Sequence, residues 1–370
     1  MSVPAGIKPD IARLPRRMPG RAPAFAAALI IGLLLAFSAS GYHLFQYAQV
    51  LIYMIALIGL NLLTGFNGSI SLGHGAFFAI GGYGAAILMA HLSVPWWLTL
   101  PIMAGLCFIA GFGFGMPALR LEGLYLALAT FALAITMPGI LNYKRFDAFT
   151  GGTSGLQVDK PKVPLHLPIN QDQFLFLCCL AAALVMLFIA QNLVSGRVGR
   201  AMVALRDHPV AAQTMGINSA MVKATCFGIA ALYAGVAGAL DAALVGFVAP
   251  DSYSVFLSLS LLVGMVVGGL GSLWGMLAGA IFIEFVPNLA DSFSDMFGES
   301  AKALPWAVYG VFLIAILLLA PHGIAGALRR LVTSVRDMMA KASSRPATEL
   351  PAISVGNQPA EPNHRTTQGS

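Results

Sequence analysis

The chain has 370 residues, of which 58% are hydrophobic and only 10% charged. A soluble domain averages about 25% charged residues, so a water-soluble fold around one large core is excluded. The formal charge of +6 points to a membrane surface and not to nucleic acid, because the basic residues flank apolar runs and no aromatic-basic patch accompanies them.

Residues 1–23 form a basic tail, with Arg13, Arg16, Arg17 and Arg21 ahead of "AFAAALIIGLLLAFSASG". That order has features of a secretory signal. More apolar runs come after it, so the run is read as a retained first membrane helix over about 24–41. Runs of spanning length, roughly 17–25 residues, continue at about 44–64, 72–91, 95–117, 121–141, 172–194 and 223–247. A long apolar stretch covers 255–286, and a last run covers 305–320. Residues 340–370 are rich in Ser, Pro, Thr and Ala without apolar period, and read as disordered. The expected organisation is a cytoplasmic tail (1–23), a membrane domain (24–328) and a largely disordered cytoplasmic tail (329–370).

Basic residues set the orientation. With the N-terminus in the cytoplasm, 16 of the 21 lysines and arginines fall inside and 5 outside, namely Lys144, Arg145, Lys160, Lys162 and Lys302. This obeys the positive-inside rule, and the reverse orientation breaks it by the same margin. Both flanks of 255–286 then lie outside, so the stretch enters and leaves on one side. Gly268, Gly269 and Gly271 in "GGLGS" supply the turn. Two helices of about 13–15 residues are short for crossings. The stretch reads either as two short crossings, giving ten membrane segments, or as a re-entrant hairpin.

Glycines four apart, at 111 and 115, 264 and 268, and 271, 275 and 279, let membrane helices approach closely. In "VVGGLGSLWG" the non-helical backbone at membrane depth has to be buried or line a cavity. A second dense patch, "LNLLTGFNGSISLGHGAFFAIGGYGAAI" (Leu60–Ile87), carries Asn61, Gly68, Ser71 and His74 at a helix–loop–helix junction. These four, with Gly268, Gly269 and Gly271, are the candidate pore or hinge residues. His74 has no second histidine or carboxylate nearby, which favours a structural hydrogen bond over a proton relay.

Asp241 and Glu284 are the intramembrane carboxylates, the usual mark of ion coupling. Each sits near the outer end of its helix, within reach of headgroup water, and neither helix core offers a basic partner. That weakens ion coupling. Cys107, Cys178, Cys179 and Cys226 lie in apolar runs without zinc-ligand spacing and read as free thiols. No glycine cluster continues into Lys-Ser or Lys-Thr as a phosphate loop requires. No nucleophile–base set or His-x-x-x-His pair is present. The sequence therefore offers no catalytic residue, metal site or cofactor site.

The polar segment "GRVGRAMVALRDHPVAAQTMGINSAMVK" (Gly196–Lys223) interrupts this chain on the inside. Asp207 is suited to cap a short helix, with Pro209 in its first turn. Gly216 is suited to stop it in a left-handed turn. A short helix off the membrane results, with Ala211, Ala212 and Met215 free to fill a groove on another protein.

"VAAQTMGI" resembles the E-A-A-x-x-x-G loop of ATP-binding-cassette importer permeases, although Val210 stands where the general motif has glutamate. "IGLNLLTGFNGSISLGHGAFFAIGGY" resembles the corresponding block of branched-chain amino acid permeases. "RLEGLYLALATFALA", "TGGTSGL", "GRAMVALRDHPVAA" and "GFVAPDSYSVFLSLSLLVGMVVGGLGSLWG" are similar to that family too, over about residues 45–320. Asp241 departs from the neutral residue expected there. The resemblance implies an all-α polytopic membrane protein, a type-II-like importer permease of about ten membrane helices with a broken, Gly-rich hairpin. It implies coupling through Arg206, Asp207, Ala211, Ala212 and Gly216. It also implies import of branched-chain or other hydrophobic amino acids at the bacterial inner membrane, with both termini cytoplasmic. The partners would be a homologous second permease, two ATP-binding subunits, a periplasmic or extracellular solute-binding protein and the lipid bilayer. Related permeases for urea or short amides are one alternative, and a self-contained secondary carrier or channel is another.

Overall fold

In hydrocarbon no water is present to satisfy a backbone N–H or C=O, so each apolar run closes its hydrogen bonds within itself as a helix. The computed structural model describes residues 21–118, 123–163 and 169–295, with isolated positions 310, 314, 323, 324 and 326. Its helices are α1 (Arg21–Ser38), α2 (Gly41–Asn61), α3 (His74–Leu92), α4 (Trp96–Ala118), α5 (Leu124–Leu141) and α6 (Asp147–Thr150). Next come α7 (Gln171–Ser195), α8 (Arg197–Asp207), α9 (Pro209–Thr214), α10 (Ser219–Val245), α11 (Val255–Gly268) and α12 (Gly275–Asp295). Among the described residues six helices are long and apolar enough to cross a membrane: α2, α3, α4, α5, α7 and α10. The chain is a mostly helical, polytopic membrane protein. Apart from positions 310 and 314, the run at 305–320 lies outside the described residues, as do the tails at 1–20 and 329–370.

Boundaries fall within a few residues of those read from the runs, with two differences. After α7 the chain does not loop; it turns at Gly196 straight into the amphipathic α8. And α12 is 21 residues long, more than the 13–15 expected, because it continues through Pro287.

Apolar side chains gain nothing from leaving lipid for one another, so close packing has to hold the bundle. The ion pair between Arg206 and Asp207 lies at the surface and not between membrane helices. α10 is the central helix, and small residues line it. Gly238 lies against the Phe78 carbonyl and the Gly82 nitrogen of α3; a Cβ there would be 2.8 Å from that nitrogen. Gly235 meets Cys107 and Met103 of α4. From the other side Gly111 and Gly115 of α4 lie on Phe227 and Ala224 of α10. α2 and α10 are mostly buried, while α4 and α5 present Ile109, Leu124, Leu128 and Ile135 outward.

At one end of the bundle β1 (Leu156–Gln157), which begins on the last residue of "TGGTSGL", pairs antiparallel with β2 (Phe247–Val248) at the exit of α10. At the other, basic end lie Arg197, Arg200 and Arg206 of α8. α11 starts near the strand end, where Tyr253 packs on Tyr83 with ring centroids 5.6 Å apart. It runs toward the basic end.

Adding a methyl at the α3–α10 contact should force two backbones apart. Gly238→Ala is expected to destabilise the detergent-solubilised protein by about 1–3 kcal/mol, the usual size of overpacking. Gly139→Ala on α5, where nothing lies within 4 Å, is expected to leave thermal unfolding unchanged.

Candidate functional site

α2 does not stop as an α-helix. Its last turn widens into a π-helical turn, Leu62–Phe66. Such turns are rare and frequent at functional sites. Here Asn61, fully buried, stands at the entry to the turn, beside the break between α11 and α12.

That break is built of glycine. Gly264 and Gly268 of α11 pack backbone to backbone on Gly279 and Gly275 of α12. Gly268 is still helical; the non-helical stretch is 269–274, one residue later than the Gly268 start expected. Gly269 and Gly271 have φ of +103° and +75°, a region that costs residues with a Cβ roughly 1–2 kcal/mol. The broken backbone carries groups no helix satisfies, and Asn61 satisfies two of them. Its Oδ1 accepts from the Gly271 N–H at 2.9 Å, and its Nδ2 donates to the Ser272 carbonyl at 3.2 Å.

The π turn meets α8 as well. Arg206 Nη1 donates to the Gly65 carbonyl at 2.7 Å, and its side chain lies over Gly68, whose added Cβ would be 2.8 Å from Arg206 Cγ. Arg206 Nε also donates to Asp207 Oδ1 at 2.9 Å. Asn61, Gly68, Gly271 and Arg206 therefore come together, although they lie on three separate parts of the sequence. Ser71 and His74 do other work. Ser71 Oγ accepts from the Gly73 N–H at 3.4 Å, and His74 Nε2–H donates to the Ala56 carbonyl at 3.1 Å. Both fix the entry into α3. Gly65 was missed in the sequence, yet its position between Asn61 and Gly68 in a turn was a signal.

The segment after α7 departs from its expected form. Asp207 is not a cap; it is the last residue of α8, and His208 takes the junction with α9. Gly216 does end α9 with φ +84°. Ala212 is buried, only 5% exposed, against the protein's own bundle, so it is not available to fill an outside groove. Ala211 is exposed, and so are Val210 and Met215, at 74% and 85%.

Comparison with known proteins identifies the lineage. Residues 42–321 match the family described as branched-chain amino acid transport system / permease component. The chain belongs to that permease family. It is 33% identical over 269 residues to the high-affinity branched-chain amino acid transport system permease protein LivM of Escherichia coli (strain K12), covering 66% of this chain and 63% of LivM. It is 26% identical over 315 residues to the permease protein BraD of Pseudomonas aeruginosa, covering 77% of this chain and 97% of BraD. It is 24% identical over 292 residues to LivH of Escherichia coli (strain K12), covering 74% of this chain and 91% of LivH. The chain thus spans under two thirds of the LivM length it matches. No solved structure matches it significantly.

One further part of the permease corrects the sequence reading. Asp241 was expected to lack a partner inside the membrane. It accepts a hydrogen bond from Gln49 Nε2 of α2 at 2.7 Å, and Tyr53 and Glu284 lie within electrostatic reach of it. Gln49 escaped notice because no charge marks it. Gln49 Oε1 is buried without a partner among the described residues. Asp241→Asn keeps an acceptor for Gln49 and adds a donor for that orphan oxygen, so thermal stability is expected to hold or rise. Asp241→Leu strands the Gln49 Nε2 beside an Oε1 that already lacks a partner, and is expected to cost about 1–3 kcal/mol in the same unfolding measurement.

Proposed function

We propose that this chain is the membrane subunit of an ATP-binding-cassette importer for branched-chain or other hydrophobic amino acids. A homologous second permease completes the pore, and ATP is hydrolysed on two separate subunits. A solute-binding protein delivers the amino acid from outside. On this reading the fold is type-II-like with about ten membrane helices, the tenth falling at 305–320 and α11–α12 forming the broken hairpin. The domain limits are those of the sequence reading, 1–23, 24–328 and 329–370. The protein sits in the bacterial inner membrane with both termini and 196–222 cytoplasmic, supported by the distribution of lysine and arginine. Substrate choice within the family, urea and short amides included, rests with the solute-binding protein.

The observation that carries this reading is α9. A short helix outside the bundle joins two membrane crossings and presents Val210, Ala211 and Met215 to solvent in a family of transport permeases. Exposed apolar side chains on a structured turn suit docking to a partner protein. Arg206, Asp207 and Gly216 set the position of that helix, and Ala212 anchors it from beneath. A self-contained carrier has no need of such a surface.

Ala211→Glu and Met215→Glu change exposed positions, so insertion and stability should be unaffected. Both are expected to lower co-purification of the ATP-binding subunit and to reduce amino-acid uptake in cells at least tenfold, more than the roughly 1 kcal/mol of a typical substitution would give. Gly216→Val, strained at φ +84°, should do the same. Wild-type recovery and uptake for all three would contradict docking through this helix.

A further inference from the structure

Gly65 touches both the segment that faces a partner and the hairpin inside the bundle. Its carbonyl accepts from Arg206 of α8 at 2.7 Å. Its α-carbon lies so close to Asn61 Oδ1 and to Gly271 N that no Cβ fits; the added atom would be 2.7 Å from Gly271 N. Asn61 in turn holds Gly271 and Ser272 through both ends of its amide. Each link is a direct contact, and the first is charge-assisted and correspondingly strong.

The geometry points to a relay, Arg206–Gly65–Asn61–Gly271/Ser272, through which movement of α8–α9 is passed to the α11–α12 hairpin. It rests on the reading that α9 docks on an ATP-hydrolysing partner. The π turn is what gives the relay two states. A π turn holds one more residue than an α turn, so conversion to α rotates the helix before the turn by about 100° relative to the chain after it. In the π register Asn61 faces the hairpin turn; after conversion it faces away and the turn is released. A pull on the Gly65 carbonyl by Arg206 acts at the residue where that register is decided. Coupling through a packed network needs such a discrete element. Asn61 is thus a positioning residue, which acts on the pathway only through the hairpin.

The test uses the assembled transporter in a background lacking the four native cysteines. Spin labels are placed at exposed positions, Gln213 on α9, Leu270 in the turn and Met116 on α4 as reference. In the unsubstituted protein, ATP binding is expected to shift both the 213–116 and the 270–116 distances. In Asn61→Leu the first should still shift and the second should not. Uptake per ATP hydrolysed should fall about tenfold while the ATP-binding subunit still co-purifies. Arg206→Met breaks the relay at its other end and serves if Asn61→Leu does not fold. It should give the same dissociation of the two distances, and the double variant should be no worse than either single one, since two members of one chain of contacts are not additive. A purely structural role would lower assembly together with uptake and would leave no separation of the two distances. If 270–116 moves with 213–116 in Asn61→Leu, or if the two losses multiply to about a hundredfold, the relay is overturned. If 213–116 ignores ATP in the unsubstituted protein, the docking reading fails first and the relay with it.

Discussion

The backbone between α11 and α12 is broken among apolar helices, and one buried amide makes that break tenable. Residues 269–274 lie outside helical geometry; the Gly269 and Ser272 N–H groups and the Leu273 and Trp274 carbonyls find partners along the chain, while the Gly271 N–H and the Ser272 carbonyl are met from α2. Left unpaired away from water, each would cost about 1–3 kcal/mol. Asn61 supplies an acceptor to Gly271 and a donor to Ser272. A carboxylate could not donate, an aliphatic residue could do neither, and a longer amide would need space that Gly65 does not leave. The π turn is the other half of the same solution, because it presents Asn61 to the break and closes Gly65 over it.

Around this point the bundle is a problem of approach distance. Lipid tails are as apolar as leucine, so area burial does not select one helix pairing over another. Selection comes from where backbones can touch. α10 touches α3 through Gly81, Gly235 and Gly238, and α4 through Gly111, Gly115 and Gly228. α11 touches α12 through four glycines. Large side chains such as Tyr83, Phe78 and Tyr233 fill the space between these contacts, while α4 and α5 present Ile109, Leu124, Leu128 and Ile135 outward. A part-buried hydrogen bond from Gln49 to Asp241 joins α2 to α10, the two spans most enclosed by the others.

Much of this was legible in the sequence because it comes from period and composition. Apolar length gave the spans, and Gly264, Gly268, Gly275 and Gly279 stood out by their spacing as a packing seam. His74, read as making a structural hydrogen bond, bonds the Ala56 carbonyl. Pairing across long sequence separation could not be read. Nothing near Asp241 in the chain names Gln49, and nothing near Gly271 names Asn61, although both residues of the second pair were singled out separately. Asp207 looked like a cap because it precedes proline by two residues, but α8 continues through it and hands the junction to His208. Ala212 looked like a docking residue because it stands beside the exposed Ala211 in a short polar segment; only the rotation of a six-residue helix against the bundle decides that it faces inward.

The central claim is that transport through this chain is powered from outside it. Proteoliposomes can be made with this permease and its homologous partner, with or without the ATP-binding subunits, and loaded to compare an ATP supply with imposed proton and sodium gradients. With the solute-binding protein present, uptake of radiolabelled leucine is predicted only when both the ATP-binding subunits and ATP are present, and it should be indifferent to either gradient. Leucine accumulation by this chain alone under an ion gradient, with no ATP-binding subunit in the membrane, would contradict the claim.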